Sequence, residues 1–200
     1  MYSLVRIILF IILFALLFCL IRKSGHYLNR KGIVTLAVVC CLLCSLAHFF
    51  PIENNLFLFS TPEAVFRYTN FEQIGDVVYG CDSCMVIYAT GSSRYSHTFV
   101  GRNENSFVIL PQYSEIQLAR DFEDARIMNV YRVRNTDDYY VMAFFNYGTE
   151  VELFDSSGKV DTHIVVIEEP GFFSTCYIYV ANLSEDHYLL VDGEPVGIIR

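Results

Sequence analysis

Two long apolar runs dominate the first quarter of the chain. Residues 7–21 have the sequence IILFIILFALLFCLI, and residues 33–50 have the sequence IVTLAVVCCLLCSLAHFF, which stops at Pro51. A helix needs about 20 apolar residues to cross a hydrocarbon layer of about 30 Å. The pattern therefore predicts two transmembrane helices, over about 3–22 and 33–50, that form a hairpin within residues 1–52.

The charges around these runs predict an orientation. The connector RKSGHYLNRK, residues 22–31, holds four of the five basic residues that precede residue 53, whereas all 22 acidic residues lie at or after Glu53. Loops rich in Lys and Arg stay in the cytoplasm. We therefore expect a cytoplasmic loop over 22–32, a two-span protein of the cell membrane with the lipid bilayer as a partner, and residues 53–200 outside. A signal-peptide cleavage after Ala47 is the alternative for the second run.

Beyond Asn70 the pattern changes to short runs of apolar and polar residues, separated by turn residues. The clearest turns are Asn135-Thr136-Asp137-Asp138, Ser156-Ser157-Gly158 and Asp192-Gly193, each between runs rich in β-branched and aromatic residues. Runs recur about every 8–14 residues with no amphipathic helix between them, which is typical of an all-β sandwich or small barrel. We therefore predict that residues 53–200 form one mainly-β domain.

Two details of this domain follow from local patterns. A short leading helix is expected over 62–69, because Thr61 can cap it and Pro62 suits the first helical position. Residues 139–145 are apolar on both faces, which indicates a central strand covered on both sides. The tyrosines at 139, 140, 177, 179 and 188 fit either a core or an exposed binding face, and the core interpretation is the simpler one.

The strong acidity of the domain excludes one class of function. Residues 53–200 carry 9 basic and 22 acidic side chains, a net charge of 9 − 22 = −13. Nucleic-acid binding requires basic side chains that neutralise phosphates, so we expect no nucleic-acid partner. Acidic pairs at the turns, including Asp137-Asp138, are interpreted as solvated charge.

The order of these segments resembles a known group of proteins. An apolar helical hairpin, the segment FSTPEAVFRY (59–68), a series of strands and the closing segment YLLVDGEPV (188–196) are together similar to small membrane proteins of Gram-positive bacteria. These have an N-terminal hairpin and an extracytoplasmic β-domain. The resemblance implies that topology and no particular activity.

A C-x-x-C pair is the sharpest chemical motif in the domain. Cys81 and Cys84 lie in VVYGCDSCMVIY, between two β-like runs. A thioredoxin-type site places its first cysteine at a helix N-terminus, which lowers the thiol pKa, whereas here a strand follows and Asp82 adds negative charge. Zinc would need a second pair of ligands. Turn thiols are therefore the preferred interpretation, with a local disulfide and a redox pair as alternatives.

A second set of candidate residues lies in the second apolar run. Cys40, Cys44 and His48 follow one another at intervals of four and so share one helix face. Small residues on one face favour helix–helix contact, and cysteine in apolar surroundings behaves as a small hydrophobe. We expect a helix-packing stripe, with no metal and no cofactor bound.

These observations lead to a functional expectation without catalysis. The favoured hypothesis is a membrane-anchored extracytoplasmic module that binds or senses an unidentified protein or envelope ligand. The alternatives are a membrane-tethered thiol-redox accessory protein that uses Cys81 and Cys84, and a subunit of a larger membrane complex that docks through the second helix.

Overall fold

A computed structural model describes residues 2–23, 30–49, 51–91, 95–111, 115–123, 126–169 and 173–198. Its helices are α1 (Tyr2–Lys23), α2 (Arg30–Phe49), a 3₁₀ helix (Ile52–Asn55) and α3 (Pro62–Thr69). The strands within these residues are β1 (Gln73–Tyr79), β2 (Ser83–Ala89), β3 (Tyr95–Asn103), β4 (Ser106–Ile109), β5 (Glu115–Glu123), β6 (Arg126–Val133), β7 (Asp138–Asn146), β8 (Val151–Asp155), β9 (Gly158–Lys159), β10 (Ile164–Glu169), β11 (Phe173–Ala181), β12 (Tyr188–Val191) and β13 (Glu194–Gly197).

The strands form three antiparallel sheets. The first sheet has the order β1-β2-β3-β4, the second β10-β11-β7-β6-β5, and the third β13-β12-β8-β9. A mainly-β domain was expected, but as a two-sheet sandwich or a single closed sheet. The additional layer arises because β8, β9, β12 and β13 pair with one another and not with the strands before them in the chain.

Three apolar clusters show how the layers are stacked. The first sheet packs α3 against one face, through side chains that include Val65, Phe66 and Val86. Its other face packs on the second sheet through Met85 and Tyr177, among others. The opposite face of the second sheet packs on the third sheet, where Leu189 lies in the cluster. The order of layers is therefore α3, first sheet, second sheet, third sheet.

The central position of β7 follows from its two apolar faces. Tyr140 faces the first sheet, whereas Val141 and Ala143 face the third sheet, and all three are fully buried. Side chains alternate between the faces of a strand, so a strand that is apolar throughout must be covered on both sides. The prediction of a central, doubly covered strand over 139–145 is confirmed.

Local signals also placed α3 and the turns correctly. α3 spans Pro62–Thr69 as predicted, and the Thr61 hydroxyl accepts a hydrogen bond from the Ala64 N–H at 3.2 Å. Asp192 and Gly193 both have positive φ, at 49° and 86°, which is the backbone of a type I′ hairpin turn. These features depend on a few neighbouring residues, and the sequence therefore predicts them.

The prediction of two transmembrane helices is wrong. In the part of the chain that the structure describes, no helix combines the length and the apolarity needed to cross a membrane. The apolar run of α1 between Arg6 and Arg22 has 15 residues, or about 22 Å of helix, against a hydrocarbon layer of about 30 Å. In α2, Arg30 and Lys31 occupy the first turn and leave 18 residues, or about 27 Å.

The predictions that depended on those spans are corrected with them. The two-span cell-membrane localisation, the cytoplasmic loop over 22–32 and the outside placement of residues 53–200 are not supported. The bilayer as a partner of the two helices stays an untested prediction. The helices themselves are present and contact each other.

The helical hairpin is joined to the sheets by polar contacts at the 3₁₀ helix. The Arg6 guanidinium donates two hydrogen bonds to the Glu53 carboxylate, at 2.9 and 3.0 Å, and the Glu53 side chain is completely buried. The Asn54 side chain donates to the Ile109 carbonyl and accepts from the Ile109 N–H, both at 2.8 Å. The Arg6 side chain is 13% exposed, so both partners of this ion pair are largely shielded from water.

We predict that loss of the Glu53 charge destabilises the docked hairpin. Glu53→Gln removes the carboxylate that the Arg6 guanidinium binds, and the loss of one partner of a buried ion pair costs about 3–5 kcal/mol. Hydrogen exchange of the α1 amides and urea unfolding measure this effect. The double variant Arg6→Met/Glu53→Leu should recover most of the loss, because it removes both charges.

A matched control is the exposed pair of Glu152 and Lys159. Its side chains are 42% and 60% exposed, so Glu152→Gln should change the free energy of unfolding by about 1 kcal/mol or less. Equal effects of Glu53→Gln and Glu152→Gln would contradict the proposed role of the buried pair.

Candidate functional site

The two cysteines of the C-x-x-C motif lie in different environments. Gly80 and Ser83 close the β1–β2 hairpin, with a 2.8 Å hydrogen bond from the Gly80 N–H to the Ser83 carbonyl, so Cys81 and Asp82 are the two loop residues. Cys81 is exposed, whereas Cys84 is fully buried in β2 among the side chains that pack under α3. Both thiols are free.

This separation gives no support to thiol-redox chemistry. Burial raises the pKa of the Cys84 thiol to about 11, and the thiolate is the reactive form of cysteine. Within the described residues, no group of three His, Cys, Asp or Glu side chains is placed to hold a metal ion. The turn-thiol interpretation is the one that this geometry favours.

The helix-packing stripe is described only in part. Cys40 is fully buried, and Leu36 and Ala37, one turn earlier, are half-buried on the same face of α2, which contacts α1. The side chains of Cys44 and His48 lie outside the described residues. The stripe therefore stays a prediction, with Cys40 in the position that it requires.

The polar centre of the fold is the carboxylate of Asp138, which is 1% exposed. Its Oδ1 accepts hydrogen bonds from the Cys81 N–H at 3.1 Å and from the Tyr179 hydroxyl at 2.9 Å. Its Oδ2 accepts from the Asp82 N–H at 2.8 Å and from the Ser83 hydroxyl at 2.6 Å. A carboxylate has about four lone-pair sites, and here four donors occupy them.

Tyrosine hydroxyls complete this cluster. The Ser83 hydroxyl proton goes to Asp138, so the Tyr140 hydroxyl donates to the Ser83 oxygen at 2.9 Å. Burial raises the pKa of Tyr140 and of Tyr179 above the usual range. Both hydroxyls therefore stay protonated and act as donors. We call the Cys81–Ser83 turn with Asp138, Tyr140 and Tyr179 the Asp138 clamp.

The clamp joins two sheets and requires a glycine beside it. Asp138 begins β7 in the second sheet, and the turn belongs to the first sheet. A Cβ on Gly80 would lie 2.6 Å from the Tyr140 hydroxyl and 2.8 Å from Asp138 Oδ2, too close for any side chain. Arg102 covers the outer side of the turn, since its guanidinium donates to the Gly80 carbonyl at 3.2 Å.

The hydrogen bonds of the cluster join its members to one another. Every acceptor site of the Asp138 carboxylate is occupied by a group of the fold, and both tyrosine hydroxyls are bound within the cluster. Buried charge is tolerated when hydrogen bonds satisfy it. The clamp is therefore a structural joint between the sheets.

Sequence reasoning missed Asp138 and placed the tyrosines correctly in part. Asp138 was interpreted as solvated turn charge, and its near-complete burial shows that this was wrong. The core interpretation is confirmed for Tyr140 and Tyr177, which are 0% and 1% exposed. The alternation of side chains along a strand could have indicated the burial of Asp138. Asp138 and Tyr140 are two residues apart and therefore face the same covered side of the sheet.

Comparison with protein-family models, with curated proteins and with solved structures gives no match to this chain. The geometry of the chain is therefore the basis for every functional statement that follows.

We predict that Asp138→Ala is strongly destabilising. It leaves the Asp82 N–H and the Ser83 and Tyr179 hydroxyls without their acceptor, at about 1–3 kcal/mol for each group that stays buried and unsatisfied. The Cys81 N–H keeps its 3.3 Å hydrogen bond to the Tyr179 hydroxyl. Urea unfolding of the full chain measures the loss. The neighbouring variant Asp137→Ala is the control, because the Asp137 side chain is 72% exposed and should change stability by about 0.5 kcal/mol or less. A comparable loss for both variants would contradict the clamp.

Thiol labelling should separate the two cysteines of the motif. At pH 8 about one Cys84 thiol in a thousand is ionised, given a pKa of about 11. We expect iodoacetamide to label Cys81 in the folded protein, and Cys84 and the equally buried Cys176 only after unfolding. Peptide mass spectrometry measures each site. Labelling of Cys81 only after reduction would indicate a disulfide and contradict the free-thiol structure.

Proposed function

We propose that the protein is a non-catalytic binding module that docks through its helical hairpin onto a partner protein. The stacked sheets serve as the rigid scaffold that holds the hairpin. The observation that supports this proposal is the number of large apolar side chains that the hairpin exposes. The exposed side chains, each 38–62% accessible, are Ile7, Ile8, Ile11, Ile12, Leu16 and Leu20 of α1 and Ile33, Val34, Val38, Val39, Leu42 and Leu43 of α2.

An exposed apolar surface of this kind supports a binding role, because it is unusual on a globular protein. Monomeric globular proteins seldom expose contiguous apolar patches above a few hundred Å². The buried face of the hairpin, by contrast, is already occupied by the contact between α1 and α2. The outer faces are therefore the surface that remains for a partner.

The charges at one end of the hairpin define the chemistry of that partner. Arg22 and Lys23 end α1, and Arg30 and Lys31 begin α2. The surface that complements the hairpin is an apolar helical face with acidic residues at the corresponding end. This proposal keeps the earlier hypothesis of docking through the second helix and extends it to both helices.

The state of the Asp138 clamp and of the C-x-x-C motif supports the non-catalytic part of the proposal. The Asp138 clamp is saturated by groups of the fold. Cys84 is buried with a raised pKa, apart from the exposed Cys81. The thiol-redox alternative has no comparable support.

Site-specific photo-cross-linking in the producing cells tests the docking. A photoreactive amino acid in place of Leu16 or Val38 should give one discrete cross-linked protein, joined through an apolar helical segment. The same amino acid in place of Ser157, which is exposed in the third sheet, should give none. Cross-links only to copies of this chain, or equal patterns from all three positions, would overturn the proposal.

A variant with reversed charges at the end of the hairpin tests the proposed partner chemistry separately. Arg22→Glu/Lys23→Glu should reduce the cross-linked yield at Leu16 about tenfold, since it places like charges against an acidic partner. Glu152→Gln, in the third sheet, should leave the yield unchanged. A yield that does not respond to the reversed charges would contradict the stated partner chemistry.

A further inference from the structure

The edges of the three sheets are protected to different degrees. An edge strand presents unpaired N–H and C=O groups that can pair with another chain, and proteins commonly block such edges. On β4, the backbone groups of Ile109 are bound by the Asn54 side chain, and the Phe107 N–H donates to the Phe59 carbonyl at 2.9 Å. The edge of β4 is therefore covered.

Three further edges have their own protection. On β1, the register shifts between Ile74 and Asp76, and the Asp76 carboxylate accepts from the Val77 N–H at 2.7 Å. β13 contains Pro195, which has no N–H to offer. β9 has two residues, which is too short to template pairing.

The two outer strands of the second sheet differ from each other. β5 has a register shift between Gln117 and Ala119, which interrupts its edge. β10 pairs with β11 in unbroken register from Ile164 to Glu169, and it contains no proline, glycine or bulge. Its sequence IVVIEE begins with four β-branched residues, which favour strand pairing. Among the described residues, β10 is the edge that carries no such block.

The alternation of backbone hydrogen bonds along β11 shows which backbone groups of β10 point away from the sheet. The Tyr179 carbonyl accepts from the Thr162 hydroxyl on the β10 side, whereas the Asn182 N–H donates to Asp137 on the β7 side. In an antiparallel strand, alternate residues bond to opposite neighbours. Odd-numbered residues of β11 therefore bond to β10, which pairs Tyr177 with Val165 and Thr175 with Ile167.

The backbone groups that remain free are those of the even-numbered residues. The N–H and C=O of Ile164, Val166 and Glu168 point away from β11, and no described residue forms a hydrogen bond with them. Residues two apart are about 6.6–6.8 Å apart along a strand, which is the spacing that a second extended chain matches.

The side chains at this edge indicate what kind of chain fits. Val166 is 45% exposed, and Glu168 is exposed on the same face. Across the strand, Val165 and Ile167 pack toward the first sheet. An added strand would therefore place one set of side chains beside apolar Val166 and the negative charge of Glu168.

We propose that β10 is a peptide-binding edge that captures an extended, basic segment of a partner protein by strand addition. Main-chain hydrogen bonds to Ile164, Val166 and Glu168 supply the pairing, and a Lys or Arg of the segment pairs with Glu168. This surface is separate from the helical hairpin and does not depend on hairpin docking.

Charge decides against a second copy of this chain as the occupant. Residues 53–200 carry a net charge of −13 from 9 basic and 22 acidic side chains. Two such domains repel each other, and an edge contact of six residues is small for a stable dimer. A basic segment gains attraction from the same field.

A peptide titration of the full chain tests the proposal. The probe is a capped eight-residue peptide of alternating valine and lysine, compared with a version that has glutamate for lysine and one that is N-methylated at alternate backbone nitrogens. The basic peptide should bind at least about ten times more tightly than the acidic one at low salt, with a smaller ratio at high salt. Hydrogen exchange should slow at the Ile164, Val166 and Glu168 amides.

Two variants and one control locate the binding. Val166→Pro removes one outward N–H at an edge position that tolerates proline and should weaken binding at least about tenfold. Val166→Thr keeps the N–H and the β-branched shape and should bind normally. Glu168→Lys should reduce the preference for the basic peptide over the acidic one, because it removes the pairing carboxylate while the rest of the domain stays acidic.

The outcomes that overturn the proposal are distinct. Equal binding of the N-methylated peptide, or binding unaffected by Val166→Pro, would show that the edge is not the site. A concentration-dependent dimer that Val166→Pro abolishes, without peptide binding, would assign the edge to a second copy. Cross-links from Leu16 that persist in Val166→Pro would leave hairpin docking intact, so the two proposals fail separately.

Discussion

The buried carboxylate of Asp138 is the constraint on which the arrangement of the first two sheets depends. A charge that is 1% exposed must find donors for its lone pairs, because water cannot reach it. Among the described residues, the Cys81–Ser83 turn and Tyr179 supply them, so the first hairpin of one sheet is fixed over the start of the central strand of the next. Gly80 has no side chain for the same reason: the space is occupied.

The hydrogen bonds within this cluster give its polar side chains a structural role. A catalytic carboxylate or hydroxyl needs a free lone pair or proton that can reach a substrate. In the Asp138 clamp, these lone pairs and protons form hydrogen bonds within the cluster. The Cys84 thiol is kept from solvent by burial among apolar side chains, and this burial raises its pKa. Among the described residues, two accessible features are the backbone at the β10 edge and the apolar side chains on α1 and α2.

These two accessible surfaces lie on parts of the chain that are held differently. The hairpin is tied to the sheets through the buried pair of Arg6 and Glu53 and through Asn54, which also covers the edge of β4. β10 is held by β11 alone on one side, with β1 packed over it from the first sheet. Among the described strands, the blocks on β1, β4, β5, β9 and β13 distinguish the open edge of β10, where strand addition stays available.

The sequence by itself determined the features whose physics is local. Capping by Thr61 and Pro62 set the bounds of α3, the Asp192-Gly193 dihedrals set a hairpin turn, and two apolar faces made β7 central. Tertiary structure alone decided the rest. Glu53 meets Arg6 across 47 residues and Asp138 meets Ser83 across 55, and no periodicity extends that far. Hydropathy misled about α1 and α2 because it counts apolar residues without regard to the charges that bound each run. Burial of a polar side chain depends on donors that distant segments bring to it, and only the packed fold shows where those segments meet.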